Sequence, residues 1–138
     1  MKLFVAGLSY KTAPVEIRER LAVQAARLRC CGCRLKLGGN LSELVLLSTC
    51  NRVEVYGVTA NGAIPARRLF QELSESDFDF TPYLYVKEGL AAVEHLFSVA
   101  SGLDSMVIGE TEIIGQVKQA YQGAQEAKLT GRVTNRLF

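Results

Sequence analysis

Apolar positions along this chain fall into short continuous runs and helix-spaced stripes, separated by glycine, proline and polar clusters. Leu3–Leu8 is an apolar run with one aromatic and predicts a strand. Thr12 and Pro14 predict a helix start, with Thr12 as N-cap and the proline in the first turn, the one place that tolerates it. Ile17, Leu21, Ala25 and Leu28 share a face of that helix, which is expected to reach about residue 36 and to stop at Gly38-Gly39. Glu43–Ser48 reads as a buried strand. Arg52–Tyr56 alternates strictly and reads as a half-exposed one. Only Thr49, Cys50 and Asn51 separate the two, which predicts a hairpin or an abrupt corner, and Asn61-Gly62 marks a later turn.

Ala66, Leu69, Phe70 and Leu73 then stripe a second helix, and Tyr83–Val86 is a fourth strand. From Glu88 the pattern is helical, with Leu90, Val93, Phe97 and Ala100 along one face and a stop at Ser101-Gly102. A last helix is expected to begin near Glu110 or Thr111, with Ile113, Ile114, Val117, Ala120, Tyr121 and Ala124 on its apolar side. Gly131 follows, and Thr134 and Asn135 read as caps of a helix that the chain does not complete. The order β-α-β-β-α-β followed by helices predicts an α+β fold. Its sheet is expected to be a ferredoxin-like split βαβ arrangement of four mostly antiparallel strands, with additional C-terminal helices. Helices on one face would leave the other face, or an edge, open to a partner.

Composition narrows the function classes. At 138 residues the chain fits one domain, and a dinucleotide-binding domain plus a substrate domain would not fit in it. Hydrophobic residues make up 49% and charged residues 22%, as in an ordinary globular protein rather than a disordered one. The formal charge of +2 is no nucleic-acid-binding signature. A single histidine excludes a multi-His metal site. No apolar run approaches the ~20 residues of a membrane span, and the start of the sequence lacks a signal-peptide layout. With cysteines at 30, 31, 33 and 50, the expected state is reduced and cytoplasmic. Cys30 and Cys33 have a spacing that serves zinc or redox chemistry, but the usual second pair is missing and only Cys50 and His95 could complete a site. No role is assigned to Cys30, Cys31 or Cys33.

Ser48-Thr49-Cys50-Asn51-Arg52 puts a thiol at the exit of a buried strand, two residues before an arginine. A nearby cation lowers a thiol pKa and activates it as a nucleophile. Arg52 could supply that field or grip a substrate carboxylate with its planar fork, and Thr49 and Asn51 could add hydrogen bonds. Equally, Cys50 could be a small buried hydrophobe and Arg52 a surface charge. His95 falls about 160° from the centre of the predicted apolar stripe at ~100° per residue, so it could orient a substrate, move protons, or be solvated. Ser105, Glu110, Glu112 and Gln116 supply polar groups around the start of the last helix, and Glu112 and Gln116 stack on one edge of it.

Three long runs then carry a resemblance: Gly7–Glu19 (GLSYKTAPVEIRE), Leu46–Tyr56 (LLSTCNRVEVY) and His95–Glu110 (HLFSVASGLDSMVIGE), the last followed by Ile114–Lys118 (IGQVK). In this order they resemble the N-terminal catalytic domain of glutamyl-tRNA reductase. The resemblance implies an enzyme of tetrapyrrole (porphyrin) biosynthesis. In that family a cysteine attacks the ester of glutamyl-tRNA to form a thioester, which NADPH reduces to glutamate-1-semialdehyde. It implies Cys50 as nucleophile and His95 as the active-site histidine. Thr49, Cys50, Asn51, Arg52, Ser105, Glu110, Thr111, Glu112 and Gln116 are the implied substrate contacts, with Arg52 facing the glutamate carboxylate.

The family's NADPH-binding and dimerisation domains have no counterpart in these residues, and nothing resembles Gly-x-Gly-x-x-Gly after a strand. The expectation is therefore thioester formation and hydrolysis without the reduction step, with no cofactor-binding residue and no metal. Glutamyl-tRNA is the implied partner. A homodimer and hand-over to glutamate-1-semialdehyde aminomutase are implied for the full-length family, and no membrane. Tyr10 stands where many members carry histidine. Two further readings stay open: an RNA-binding ferredoxin-like module, since Leu3–Leu8 resembles the shorter motif of RNA-recognition domains, and an inactive or regulatory fragment.

Overall fold

The computed structural model describes residues 2–21, 36, 41–49, 51–59, 64–102, 112–126 and 128–138. Strand β1 (Lys2–Ser9) leads through a turn into helix α1 (Val15–Glu19). Strands β2 (Leu41–Ser48) and β3 (Arg52–Thr59) follow, then helix α2 (Ala66–Ser74), a 3₁₀ turn at Thr81–Tyr83 and strand β4 (Tyr85–Glu88). Helices α3 (Leu90–Ala100), α4 (Glu112–Glu126) and α5 (Arg132–Leu137) complete the chain. The four strands form one sheet in the order β2-β3-β1-β4, every neighbouring pair antiparallel. The fold is α+β.

Several boundaries differ from the sequence pattern for identifiable reasons. Thr12 does not cap α1; the N-cap is Pro14. Thr12 instead closes the preceding turn, its hydroxyl accepting the Ser9 N–H at 3.0 Å. Helix α1 ends at Glu19, with Arg20 as its C-cap, short of the expected run. Between Leu21 and the expected end only Lys36, helical, is among the described residues, and the Gly38-Gly39 stop and the Asn61-Gly62 turn lie outside them. The terminal helix does form, as α5. Gly131 is its N-cap, and Thr134 sits one turn inside it, its hydroxyl accepting the Gly131 N–H at 3.0 Å.

The larger correction concerns β3, which is buried along its whole length rather than half-exposed. Ladder partners share a sheet face, because side chains alternate with period two. The pairs Ser9↔Arg52, Gly7↔Glu54, Val5↔Tyr56 and Gly7↔Tyr85 therefore place Arg52, Glu54, Tyr56 and Tyr85 on one face. Val53 and Val55, with Leu8, Ala6 and Leu46, occupy the other. That second face is buried in the apolar cluster that also takes Leu69, Phe70 and Leu73 of α2 and Phe80. Across the polar face lie α3, whose His95 reaches Glu54, α4, which packs along β2 and α3, and α5, whose Phe138 end meets Tyr56. The three longer strands thus have no bare face, so the stacking platform that an RNA-recognition sheet requires is covered. Alternation had signalled two unlike surroundings, one apolar and one polar, and both are dry.

Helix α3 is also rotated relative to the expected stripe. Ala92, Leu96 and Val99 face inward, while Leu90 and Phe97 are 72% and 60% exposed. With Leu90 at zero on the ~100° wheel, the inward residues span about 180° to 240°, next to His95 at ~140°. The histidine therefore points into the protein.

Candidate active site

The β2–β3 connection is pinned from several directions. Thr49 N–H donates to the Arg52 carbonyl at 2.8 Å, closing the hairpin. The Thr49 hydroxyl accepts the N–H groups of Asn51 and Arg52 at 3.2 and 3.1 Å, a side-chain turn of the kind short hydroxyl residues favour. Tyr10 N–H donates to the Asn51 carbonyl at 2.8 Å, and Arg18 Nη1 donates to Asn51 Oδ1 at 3.5 Å. The residues flanking position 50 are therefore fixed to the β1–α1 corner as well as to each other. Cys50 itself, with Ser105, Glu110 and Thr111, lies outside the described residues, as do Cys30, Cys31 and Cys33. Glu112 opens α4, and Gln116 lies one turn further along it, half-buried.

Behind the turn, the polar sheet face carries a charged cluster that the sequence did not single out. Glu54 is 0% exposed and accepts four donors: Arg52 Nη1 at 3.5 Å, Tyr56 OH at 2.9 Å, Tyr85 OH, and His95 Nε2. Three of these contacts converge on Oε2 and the Tyr56 hydroxyl takes Oε1, so both oxygens are engaged. Burial by itself raises the Glu54 pKa. The hydrogen bond and charge of His95, the Arg52 guanidinium and the Tyr85 hydroxyl outweigh that and hold it below the ordinary carboxylate value. Tyr56 moves the other way: burial and then the neighbouring Glu54 charge push its hydroxyl well above the usual tyrosine value. The Tyr56 hydroxyl thus stays a donor and the carboxylate stays an acceptor.

This arrangement joins two of the expected site residues through a third. Arg52 is 2% exposed, not a surface charge, and the His95 side chain is 9% exposed; Glu54 binds both. The Tyr85 ring packs against the His95 ring at 5.2 Å between centroids. With Nε2 on an ionised carboxylate, the imidazole carries its proton there and turns Nδ1 away from it. At about 3.3 Å per residue, Glu54 sits ~7 Å along β3 from Arg52, and Arg52 directly follows the Thr49–Asn51 turn. Arg52 is therefore the charged group between the turn and the Glu54–His95 pair. Chemically, this supplies an oriented guanidinium beside a rigid turn, in a site whose other charges are internally neutralised. Glu54, Tyr56 and Tyr85 escaped the sequence reading; the signal was there in the Arg-x-Glu-x-Tyr alternation, which puts all of β3's polar side chains from Arg52 to Tyr56 on one face. Among the described residues no group of three or more His, Cys, Asp or Glu could hold a metal ion. Among them, too, no helix is long and apolar enough to cross a membrane.

Comparison with known proteins gives one answer. The family model for the N-terminal domain of glutamyl-tRNA(Glu) reductase matches residues 6–138. Glutamyl-tRNA reductase of Shouchella clausii is 50% identical over the whole of this chain, and that of Aquifex aeolicus is 45% identical over 99% of it. The solved structure of glutamyl-tRNA reductase from Methanopyrus kandleri superposes with a TM-score of 0.80 at 36% identity, covering 98% of this chain. The chain spans about a third of the length of these relatives: 31%, 34% and 31%. Matched by the family model from the first strand to the last helix, this chain belongs to the glutamyl-tRNA reductase family and corresponds to its N-terminal domain.

Proposed function

We propose that this chain is the acyl-transfer unit of a glutamyl-tRNA reductase, an oxidoreductase of tetrapyrrole biosynthesis, with a single domain over residues 1–138. Cys50 attacks the ester carbonyl of glutamyl-tRNA. The carbon–sulfur bond of a thioester forms, the ester carbon–oxygen bond breaks, and the tRNA leaves with the proton on its ribose hydroxyl. The observation that carries this reading is the buried Arg52, oriented by Glu54 beside the turn that bears position 50. Its guanidinium supplies the cation that favours thiolate and the planar fork that fits the glutamate carboxylate. Thr49 and Asn51 fix the turn, and Gln116, with Ser105, Glu110, Thr111 and Glu112, completes the substrate contacts. His95, locked onto Glu54 through Nε2, offers Nδ1 for proton movement.

The fold of this domain reads as the ferredoxin-like split βαβ type: β1 and β2, each antiparallel to β3, run parallel with β3 between them. An NADPH site does not fit the described residues. Neighbouring strands are all antiparallel, and β1 runs into a turn held by Ser9 and Thr12 side chains rather than a glycine-rich phosphate loop. In full-length members of the family, reduction of the thioester by NADPH, dimerisation and transfer of the semialdehyde to an aminomutase are assigned to the other domains. Glutamyl-tRNA is the partner, and the compartment is the cytoplasm.

Mass spectrometry after exposure to glutamyl-tRNA, or to an activated glutamate ester, tests the reading. A glutamyl adduct on Cys50 that is absent in Cys50→Ala is expected, with slow hydrolysis returning free enzyme. No adduct under any condition would overturn it.

A further inference from the structure

Helix α5 is tied at both ends to the hairpin whose turn carries position 50. At its start the Glu43 carboxylate, on β2, accepts the Thr134 N–H and the Thr134 hydroxyl, each at 2.8 Å, and the Val133 N–H at 3.4 Å. At its finish Phe138 lies between two tyrosines, edge-on to Tyr56 with ring centroids 5.5 Å apart and stacked on Tyr121 at 5.6 Å with 6° between the planes. The Tyr121 hydroxyl also donates to Asn135 Oδ1 at 2.8 Å. Tyr56 has two attachments of different kinds. Its ring abuts Phe138, and its hydroxyl donates to Glu54 Oε1 at 2.9 Å.

We propose that Tyr56 is a positioning residue that couples the seating of helix α5 to the orientation of the Glu54 carboxylate, and through it to His95 and Arg52. The side chain is a rigid ring with the hydroxyl at its far end, fully buried among close-packed neighbours. A displaced Phe138 leaves the ring free to tilt, and a tilt carries the donor off Oε1. The carboxylate is planar, so Oε1 cannot turn to follow without moving Oε2 relative to Tyr85 and His95. The relatives are about three times longer than this chain, and the matched family model is that of an N-terminal domain. In a relative of that length, any load that a following domain puts on the corresponding helix would reach this carboxylate. The importance of this for acyl transfer rests on the function proposed above; the coupling itself does not.

His95 is the sole histidine of the chain, so its imidazole resonances are identified without ambiguity. The test is NMR of those resonances at fixed pH in the wild type, Tyr56→Phe, Phe138→Ala and the double variant. Tyr56→Phe keeps the ring and removes the hydroxyl. Glu54 then loses a competing donor, and the Nε2–H resonance moves downfield. Phe138→Ala moves it the same way by a smaller amount, and the double variant adds nothing to Tyr56→Phe. An unmoved resonance in either single variant, or shifts that simply add, overturns the coupling. Should Phe138→Ala prevent folding, Phe138→Leu fills the slot without an aromatic edge and is judged by the same criterion. Because the readout is at His95, a wild-type chain that forms no Cys50 adduct would count against the proposed function and leave this result standing.

Discussion

Gly7 illustrates how closely the charged cluster is fitted to its surroundings. It lies opposite Glu54 in the β1–β3 ladder, and a Cβ added there would meet the Val53 carbonyl oxygen at 2.7 Å and Glu54 Cγ at 2.8 Å. Backbone occupies one side and a four-fold bonded carboxylate the other, so neither can give way cheaply. The backbone of Gly7 is ordinary strand; what position 7 needs is the missing side chain. Gly7→Ala is expected to lower stability by about 1–3 kcal/mol, the usual range for overpacking a well-filled core. Urea unfolding checks this. A cost below ~0.5 kcal/mol would mean that Glu54 is less tightly held than its contacts imply.

Helix α3 poses the corresponding question for a whole element. Leu90, Ala91, Ala92, Val93, Leu96, Phe97, Val99 and Ala100 leave it apolar nearly all round, so two different faces could serve as the buried one. The face containing Ala92, Leu96 and Val99 wins because it brings His95 onto Glu54, a contact between residues 41 apart. Leu96→Ala should therefore cost about 2–5 kcal/mol, whereas Phe97→Gln should stay within about 0.5 kcal/mol of wild type. Thermal or urea unfolding of the two variants distinguishes the faces, and the reverse order would restore the stripe read from spacing. The first three strands, α2 and the last long helix were legible from local pattern, because each has one clear apolar face or run. The fourth strand, expected at Tyr83–Val86, instead spans Tyr85–Glu88, since Tyr83 closes a 3₁₀ turn and the strand itself is mostly exposed. The rotation of α3 and the dryness of β3 were not legible, since both depend on which partner arrives from elsewhere in the chain. The site shows the same division. Arg52 and His95 stood out as residue types, while Glu54, which joins them, looked like an ordinary polar position on an alternating strand.

Among the described residues, stability should carry the signature of the two buried groups whose titration is perturbed, Glu54 and Tyr56. Glu54 is depressed in the folded state, so its contribution is fully present above the ordinary glutamate value near ~4.3 and is lost as pH falls through the lower folded value. Tyr56 is raised, so its contribution is fully present below the ordinary tyrosine value near ~10 and is lost as pH climbs beyond it, by up to about 1.4 kcal/mol per pH unit. Urea midpoints measured across pH should show both limbs in the wild type. The alkaline limb should shrink in Tyr56→Phe and the acid limb in Glu54→Gln. Limbs that persist unchanged in these variants would assign them to other groups.

The same alternation also acts as a key for strand pairing. Side chains on β3 change faces at every residue, so a slip of one position against β1 or β2 would exchange Arg52, Glu54 and Tyr56 for Val53 and Val55. A hairpin with valine on both faces would lose little in such a slip. Here a carboxylate and a guanidinium would be driven among Phe4, Ala6 and Leu46, while His95 and Tyr85 would be left facing valine. The buried charges therefore penalise the neighbouring registers far more than they favour the native one, and the hairpin that carries position 50 has a single way to close.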